Sequence, residues 1–380
     1  MIMSLSDVST VLITGGNGCL GRFLVDLLQE HFDKTTTEAK KIIRILDNST
    51  DGQDYFRERY GRSDHAFEIE FITGDVRKAS TVRRAVKDVQ CVFHLAGIVD
   101  ISMFPGENLM WAVNCRGTQD LLEACYEANV SYVIFTSSVN AVLGVNPLVD
   151  AAENDCPKPS EWLYKGYGET KWFAEQMVKD ADNLPLANGQ RLRTISLRPT
   201  VFYGENDRIN VPVLLKLAQN GGNNLLQFGN NDTAKIQQTY VGNVAWAHVQ
   251  ALKSLIEHPD DCAGQAYFIT DNTPMLSPFQ FARPFLEDRR MRLSRFSVPI
   301  SVIYFVVLTF IFVFNLLLRV WPDWDAVKRT KLPSKAQIMF LRMGVSFDRS
   351  KAERVLNYSP RYTYEESVDA SRKYYAQMEL

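Results

Sequence analysis

Thr14-Gly15-Gly16-Asn17-Gly18-Cys19-Leu20-Gly21 is the stretch that decides how this chain folds. Before it, Val8 to Thr14 is an apolar run of strand length; after it, Leu20, Phe23, Leu24, Leu27 and Leu28 recur at helical spacing. The glycines at 15, 18 and 21 therefore occupy a strand-to-helix turn. Glycine in such a turn lets the backbone reverse tightly, approach a pyrophosphate and pack helix against strand, while the helix N-terminus stabilises negative charge. Among 21 glycines this spacing can arise by chance, and the flanking strand and helix are what give it meaning.

The pattern repeats outward. A second strand is expected over Lys41 to Asp47, after a polar loop containing Thr35, Thr36 and Thr37. Apolar runs ending in polar residues follow at Phe67 to Asp75, Gln90 to Ala96, Val130 to Ser138 and Leu192 to Pro199, with helical segments between most of them. This alternation predicts an α/β fold, a Rossmann-type doubly wound parallel sheet. Beyond Pro199 the pattern loosens. Pro212, Gly221, Gly222, Asn223, Asn224, Gly229, Asn230 and Asn231 mark loops around short elements, hence a smaller C-terminal substrate lobe. The expected division is a nucleotide-binding domain over 8–200, with part of 241–271 returning to it, and a substrate lobe over 201–295. A membrane-embedded apolar segment over 296–318 and a C-terminal part over 319–380, packing on the substrate lobe, complete it.

Asp47 closes the second strand, where a carboxylate can accept hydrogen bonds from both adenosine ribose hydroxyls and repel a 2′-phosphate, which favours NAD over NADP. A turn or N-cap aspartate ahead of Asn48, Ser49 and Thr50 is the alternative. Asp75 and Val76, at the end of the third strand, are placed for an adenine contact, with a surface-turn aspartate as the plain alternative.

With 42 Lys plus Arg against 44 Asp plus Glu, the 380-residue chain carries a net charge of -2 and lacks the basic excess of a general nucleic-acid binder. No nucleic-acid partner is expected. Six cysteines form no CxxC pair, and the five histidines are too sparse for a zinc site. Reduced, mostly buried thiols in a cytosol-facing protein are expected, and no metal site. No basic region followed by an apolar run opens the sequence, so a secretory signal peptide is not expected.

Tyr167-Gly168-Glu169-Thr170-Lys171 is the candidate for chemistry. With 15 tyrosines in the chain, the Tyr-to-Lys spacing alone says little. Its position says more: it lies 29 residues beyond Ser138, a strand end, and opens an apolar-periodic helix through Trp172, Met177 and Val178. A phenol near its reference pKa of about 10 is a poor base at neutral pH, and a cation one helical turn away is expected to lower that value. Lys171 is that cation. The i to i+4 spacing puts both side chains on one helix face, where the ammonium can also hold a cofactor ribose. Ser138 would hydrogen-bond the reacting oxygen.

These residues resemble the extended short-chain dehydrogenase/reductase superfamily and, within it, the 3β-hydroxysteroid dehydrogenase family. The resemblance is carried by Thr14 to Gly21, His94-Leu95-Ala96-Gly97, Asn114-Cys115-Arg116-Gly117-Thr118, Thr136-Ser137-Ser138, Tyr167 with Lys171, and Leu197-Arg198-Pro199-Thr200. Its most specific run is Tyr240-Val241-Gly242-Asn243-Val244-Ala245-Trp246-Ala247-His248. The resemblance implies that Ser138, Tyr167 and Lys171 form the catalytic triad of NAD-dependent alcohol oxidation, with Asn114 either a proton relay or a structural asparagine pinning its helix start. It implies cofactor contacts from Gly15, Gly18, Gly21, Asp47, Asp75, Val76, Ala96, Lys171 and Pro199. Arg198 and Pro199 fall at the nicotinamide end, although a proline after a strand is also simple punctuation.

The implied reaction is oxidation of a 3β-hydroxyl on a sterol or steroid to the 3-ketone. Isomerisation from Δ5 to Δ4 is left open, because the tyrosine and lysine associated with it in the vertebrate steroid enzymes have no counterpart in Phe279 to Arg290. A decarboxylating sterol 4-carboxylate 3-dehydrogenase is the alternative. A nucleotide-sugar epimerase and a non-catalytic NAD-sensing membrane protein stand further off, and a homodimer is left open.

From Phe296 to Leu318, 23 residues carry no charge between Arg295 and Arg319. At about 1.5 Å per residue, such a helix would cross a hydrocarbon core of roughly 30 Å. Spanning, monotopic insertion and burial in a core are the readings, and the lack of a polar face favours lipid contact over a core. Phe347 to Ala352 and Val355 to Pro360 resemble the C-terminal element that packs on the substrate lobe across the superfamily, which would put both flanks on one side. The charges agree: five arginines in the 20 residues before, and two arginines and three lysines in the 20 after, assign both ends to the cytoplasm. Trp321 and Trp324 would sit at headgroup level. The expectation is a non-spanning anchor beside the active-site mouth, in the endoplasmic reticulum membrane with the catalytic part facing the cytoplasm, through which a sterol arrives from the bilayer.

Overall fold

The computed structural model describes residues 8–32, 41–60, 67–229, 234–321, 324 and 333–380. The polar loop of Thr35 to Thr37, the loop residues Asn230 and Asn231, and Lys328, Arg329 and Lys331 of the basic flank lie outside the described residues.

The strands are β1 (Thr10–Thr14), β2 (Lys41–Asp47), β3 (Phe67–Thr73), β4 (Cys91–His94), β5 (Tyr132–Thr136), β6 (Leu148–Ala151), β7 (Arg193–Pro199), β8 (Val201–Tyr203), β9 (Asn224–Phe228), β10 (Gln238–Tyr240), β11 (Gln265–Ile269), β12 (Arg292–Val298) and β13 (Val345–Phe347). The helices are α1 (Cys19–Phe32), α2 (Gln53–Tyr60), α3 (Ala79–Ala85), α4 (Glu107–Met110), α5 (Gly117–Glu127), α6 (Lys165–Asp180), α7 (Val211–Asn220), α8 (Val241–Glu257), α9 (Pro259–Cys262), α10 (Pro278–Asp288), α11 (Ile300–Val320), α12 (Lys335–Phe340), α13 (Ser350–Leu356) and α14 (Tyr364–Gln377). A π-helical turn, Trp111–Arg116, joins α4 to α5.

Seven parallel strands form the main sheet in the order β3-β2-β1-β4-β5-β7-β11. Successive side chains leave opposite faces. Val11, Ile13, Ile45, Phe93 and Ile134 enter one core with Leu24 and Leu28 of α1 and Val244 of α8; Leu12, Leu46, Val92 and Val133 enter another with Leu121 of α5 and Val178 of α6. Cover on both faces is why these strands read as continuous apolar runs and not as alternation. β2 keeps its expected bounds, while the other strands are one or two residues shorter at one or both ends than those runs, because the flanking residues leave the ladder to build the loops. β1 pairs β2 on one side and β4 on the other, so the chain reverses direction of winding there. A crevice opens at the C-terminal ends of such strands, where ligands of doubly wound sheets bind.

Beside the sheet stand smaller parallel pairs, β8 with β10, β9 with β12 and β6 with β13. α7 packs on β9 and α10, and α14 packs on α10. The C-terminal part is tied in by hydrogen bonds: Arg289 donates to the carbonyls of Tyr375 and Met378 at 2.5 and 2.8 Å, and buried Tyr375 donates to Asp207 at 3.0 Å. Arg372 also pairs with Asp288 at 2.6 Å.

The apolar segment divides in two. Phe296 to Val298 belongs to β12, which pairs with β9, and the helix begins only after Pro299. Proline lacks a backbone donor, which suits a helix start and not a strand interior. Along α11 only Val307 is buried, so a protein core is not what covers it. Among the described residues it is the one helix long and apolar enough to cross a membrane.

Candidate active site

Gly15 holds φ at +71°, and a Cβ there would stand 2.9 Å from the Ala96 backbone, so the loop after β1 lies directly on the loop after β4. Behind it runs a buried relay. The Ala96 amide donates to Thr14 Oγ1 at 3.2 Å, and Thr14 meets His94 Nδ1 at 2.7 Å. His94 Nε2 meets Thr118 Oγ1 at 2.9 Å, and Thr118 donates to the Asn114 carbonyl at 2.6 Å. With the Thr118 proton already given away, Nε2 carries the ring proton and Nδ1 accepts from Thr14. Burial pushes His94 down to about 3, with Lys171 adding to the shift, so the ring stays neutral.

Asp47 ends β2 and accepts the amides of Asn17 and Ser49, both at 3.0 Å, tying the glycine turn to the turn after β2. The turn-aspartate alternative is therefore realised, yet Asp47 also lines the crevice. Asp75 is held by Arg77, whose Nη2 and Nε lie 2.5 and 2.8 Å away and keep the carboxyl below its usual range. Its side chain thus serves a surface turn.

α6 carries Tyr167 and Lys171 one turn apart. Gly168 between them faces the Asn140 carbonyl, which a Cβ would overlap, so glycine lets α6 approach the turn after β5. That turn presents Ser138, whose Oγ accepts the Asn140 amide at 3.1 Å and Asn140 Nδ2 at 3.2 Å. Both lone pairs are engaged, leaving the hydroxyl proton for an oxygen in front. The Ser138 hydroxyl bonds the Tyr167 phenol.

Lys171 Nζ donates to the Thr136 carbonyl at 2.8 Å and sits 4.8 Å from the centre of the Phe135 ring. Burial lowers its pKa to about 8, opposed by Cys115 and Glu175. The expected lowering of Tyr167 by Lys171 is not found. Burial raises the phenol, and the opposing influence is the Ser138 bond; the ammonium is turned to the Thr136 carbonyl, and loss of solvation decides the direction.

Asn114, in the π-helical turn, accepts the Ile98 amide at 2.8 Å and donates Nδ2 to the Ile98 carbonyl and Thr170 Oγ1, each at 3.0 Å. Both its amide hydrogens are committed, so it pins the loop after β4 to α6.

A cavity of about 1430 Å³ gathers these pieces. Gly15, Gly18, Gly21, Asp47, Asp75, Val76, Ala96, Ser138, Tyr167, Lys171 and Pro199 all line it; Asn114 does not. From Tyr167 it runs on past Leu143 and Phe279 to Ile303, Val306, Val307 and Phe310 of α11.

Residues 12–300 match the 3-beta hydroxysteroid dehydrogenase/isomerase family. The chain belongs to that family. A 3 beta-hydroxysteroid dehydrogenase/Delta 5-->4-isomerase of Vaccinia virus (strain Western Reserve) is 33% identical over 270 residues, 70% of this chain and 72% of that one. Short-chain dehydrogenase/reductase family 42E member 1 of Xenopus laevis is 31% identical over 302 residues, 78% of this chain and 72% of that one. Among solved structures, MoeE5 in complex with UDP-glucuronic acid and NAD shares the fold, with a TM-score of 0.64 at 18% identity over 96% of this chain and 98% of that one.

In this member of the 3-beta hydroxysteroid dehydrogenase/isomerase family, Arg198 does not reach the cavity. It turns to the other face of β7, where Nε and Nη2 grip Glu175 at 2.8 and 2.6 Å. Glu175 also accepts from Ser137 Oγ at 2.7 Å. Sequence reading passed over Glu175, although its position one further turn beyond Lys171 on the same helix face was a usable signal. His248, which closes the run from Tyr240 that carries the resemblance, has a place the run did not reveal: its Nδ1 donates to the Val244 carbonyl at 2.8 Å, so Nε2 accepts from Thr136 Oγ1 at 2.7 Å. It thereby steadies the residue whose carbonyl holds Lys171.

Proposed function

We propose that this protein oxidises the 3β-hydroxyl of a sterol or steroid to the 3-ketone with NAD, while anchored in a membrane through α11. The observation that carries the reading is one continuous cavity whose wall includes the glycine turn, the Ser138, Tyr167 and Lys171 group, and the apolar helix α11. The chain fits the cofactor: the glycine turn opens onto the N-terminus of α1 for the pyrophosphate, Asp47 offers a carboxylate to the ribose, and the Asp75 to Val76 backbone, Ala96 and Pro199 line the rest. NAD, when bound, supplies the ring that accepts hydride from the carbinol carbon. Ser138 turns its proton from the Tyr167 phenol to the substrate oxygen, Tyr167 takes the substrate's hydroxyl proton as base, and Lys171 holds the ribose. Asn114 acts in this reading by fixing α6.

Residues 8–200 with β11 would form the cofactor domain, 201–295 the substrate lobe and 319–380 the closing part. The anchor is monotopic, with both flanks on the cytoplasmic side of the endoplasmic reticulum membrane, and the sterol enters from the bilayer. Dehydrogenation has support from Ser138, Tyr167 and Lys171, whereas α10 carries neither Tyr nor Lys for isomerisation.

The test is incubation of the detergent-solubilised full chain with NAD and a panel of 3β-hydroxysterols, with and without a 4-carboxylate, following NADH, product mass and the absorbance of a conjugated enone. NADH with a product lighter by two hydrogens is expected. Loss of carbon dioxide as well would assign the decarboxylating reaction. NADH from nucleotide sugars alone would overturn the proposal.

A further inference from the structure

α7 is apolar on both faces. Val211, Leu215 and Ala218 are buried in the core, while Val213 and Leu217 on the opposite side stay 48% and 49% exposed. Ile209, one turn ahead of Val213, and Leu226 on the adjoining strand β9 extend the same exposed ridge at 58% and 49%. A surface helix in water would present polar residues there, and a contiguous apolar patch marks a contact site.

Two observations say what covers the ridge. It lines the same cavity as Ile303, Val306 and Phe310 of α11. It is also continuous with that helix through the pairing of β9 with β12, which runs through Pro299 into α11 and carries Phe296 at 84% exposure. The exposed cations Arg208, Lys216, Arg292 and Arg295 flank the patch, an arrangement suited to anionic headgroups above an acyl layer.

We propose that the α7 and β9 ridge is a second membrane contact, so that the cavity opens between two apolar lips seated in one phospholipid surface. The inference rests on the membrane reading of α11 and adds a partner for the substrate lobe. The substrate then need never cross water: it passes between Leu217 on one lip and Phe310 on the other.

The test uses the full chain in vesicles of phosphatidylcholine and phosphatidylserine, without sterol. Val213→Cys, Leu217→Cys, Leu226→Cys, Phe310→Cys and Tyr126→Cys each carry an environment-sensitive fluorophore, with the unsubstituted protein giving the background from its six native thiols. Quenching by a nitroxide-bearing lipid is expected at positions 213, 217, 226 and 310 and not at 126, an exposed site on α5. If position 310 is quenched while 213, 217 and 226 respond only to aqueous iodide, the second lip is overturned and the anchor stands. If 310 also escapes the lipid quencher, the anchor falls with it. Shielding of the ridge that grows with protein concentration would assign it to a second copy and overturn the proposal.

Discussion

Burial raises the Tyr167 phenol and the Ser138 hydroxyl works against that rise. Removing the hydroxyl should therefore move the base still higher: in Ser138→Ala the acid limb of the kcat/KM profile for oxidation, where activity rises as the phenol ionises, shifts to higher pH. An unshifted limb would show that Ser138 does not act on the phenol. Tyr167→Phe should lower turnover by about 10²- to 10⁴-fold, the usual contribution of a positioned acid or base, with NAD affinity unchanged in a titration. Lys171 has the same sign of linkage as a salt-bridged carboxylate, because in both the folded pKa is the lower one, but its window lies at alkaline pH. Its pKa falls from 10.5 to about 8, so the folded chain binds fewer protons than the unfolded one between those values, and stability rises with pH across that window. Relative to Lys171→Met, the wild-type chain should gain thermal stability from pH 8 to pH 10. The Tyr167 and Lys171 pairing was legible because it is a helical repeat written in the sequence. The direction of the phenol shift was not, since it depends on how deeply the fold buries the ring.

At the scale of elements, α6 is fixed by what it touches at each turn: Asn140 opposite Gly168, Thr136 opposite Lys171, and Arg198 opposite Glu175. Breaking the last contact leaves a buried guanidinium without its partner, which costs about 3–5 kcal/mol, whereas replacing both partners by apolar residues is far milder. Glu175→Leu should accordingly lower the thermal midpoint sharply, and adding Arg198→Met should recover most of the loss. Equal destabilisation in the single and double variants would contradict the pairing. The main strands could be read because cover on both faces makes each a plain apolar run. The pairing of β9 with β12 could not: Asn224 and Arg292 meet across a long chain separation in a short parallel ladder, and no local pattern records it. The same pairing moved the start of α11 from Phe296 to Ile300.

For the whole molecule, the question is on which side of the membrane each end lies. A helix of 21 residues whose one charge, Arg319, lies in its last turn is long enough to span, at about 32 Å for a rise of 1.5 Å per residue. Length alone would place the following residues on the far side. They are instead built into the catalytic body: β13 pairs with β6, α13 packs on α8 and β11, and Arg289 and Asp288 of the α10 region bind α14 from below. Removing α14 to the opposite side would expose Tyr375, which is fully buried and bonded to Asp207. Such a separation would forfeit roughly 1.5–3 kcal/mol for each large apolar side chain uncovered, and no burial of α11 requires it. Tags at Met1 and Leu380 should therefore be digested together by protease added to intact vesicles. Protection of one tag and not the other would mean that α14 leaves α10 in the membrane-bound protein, and a spanning α11 would replace the monotopic anchor.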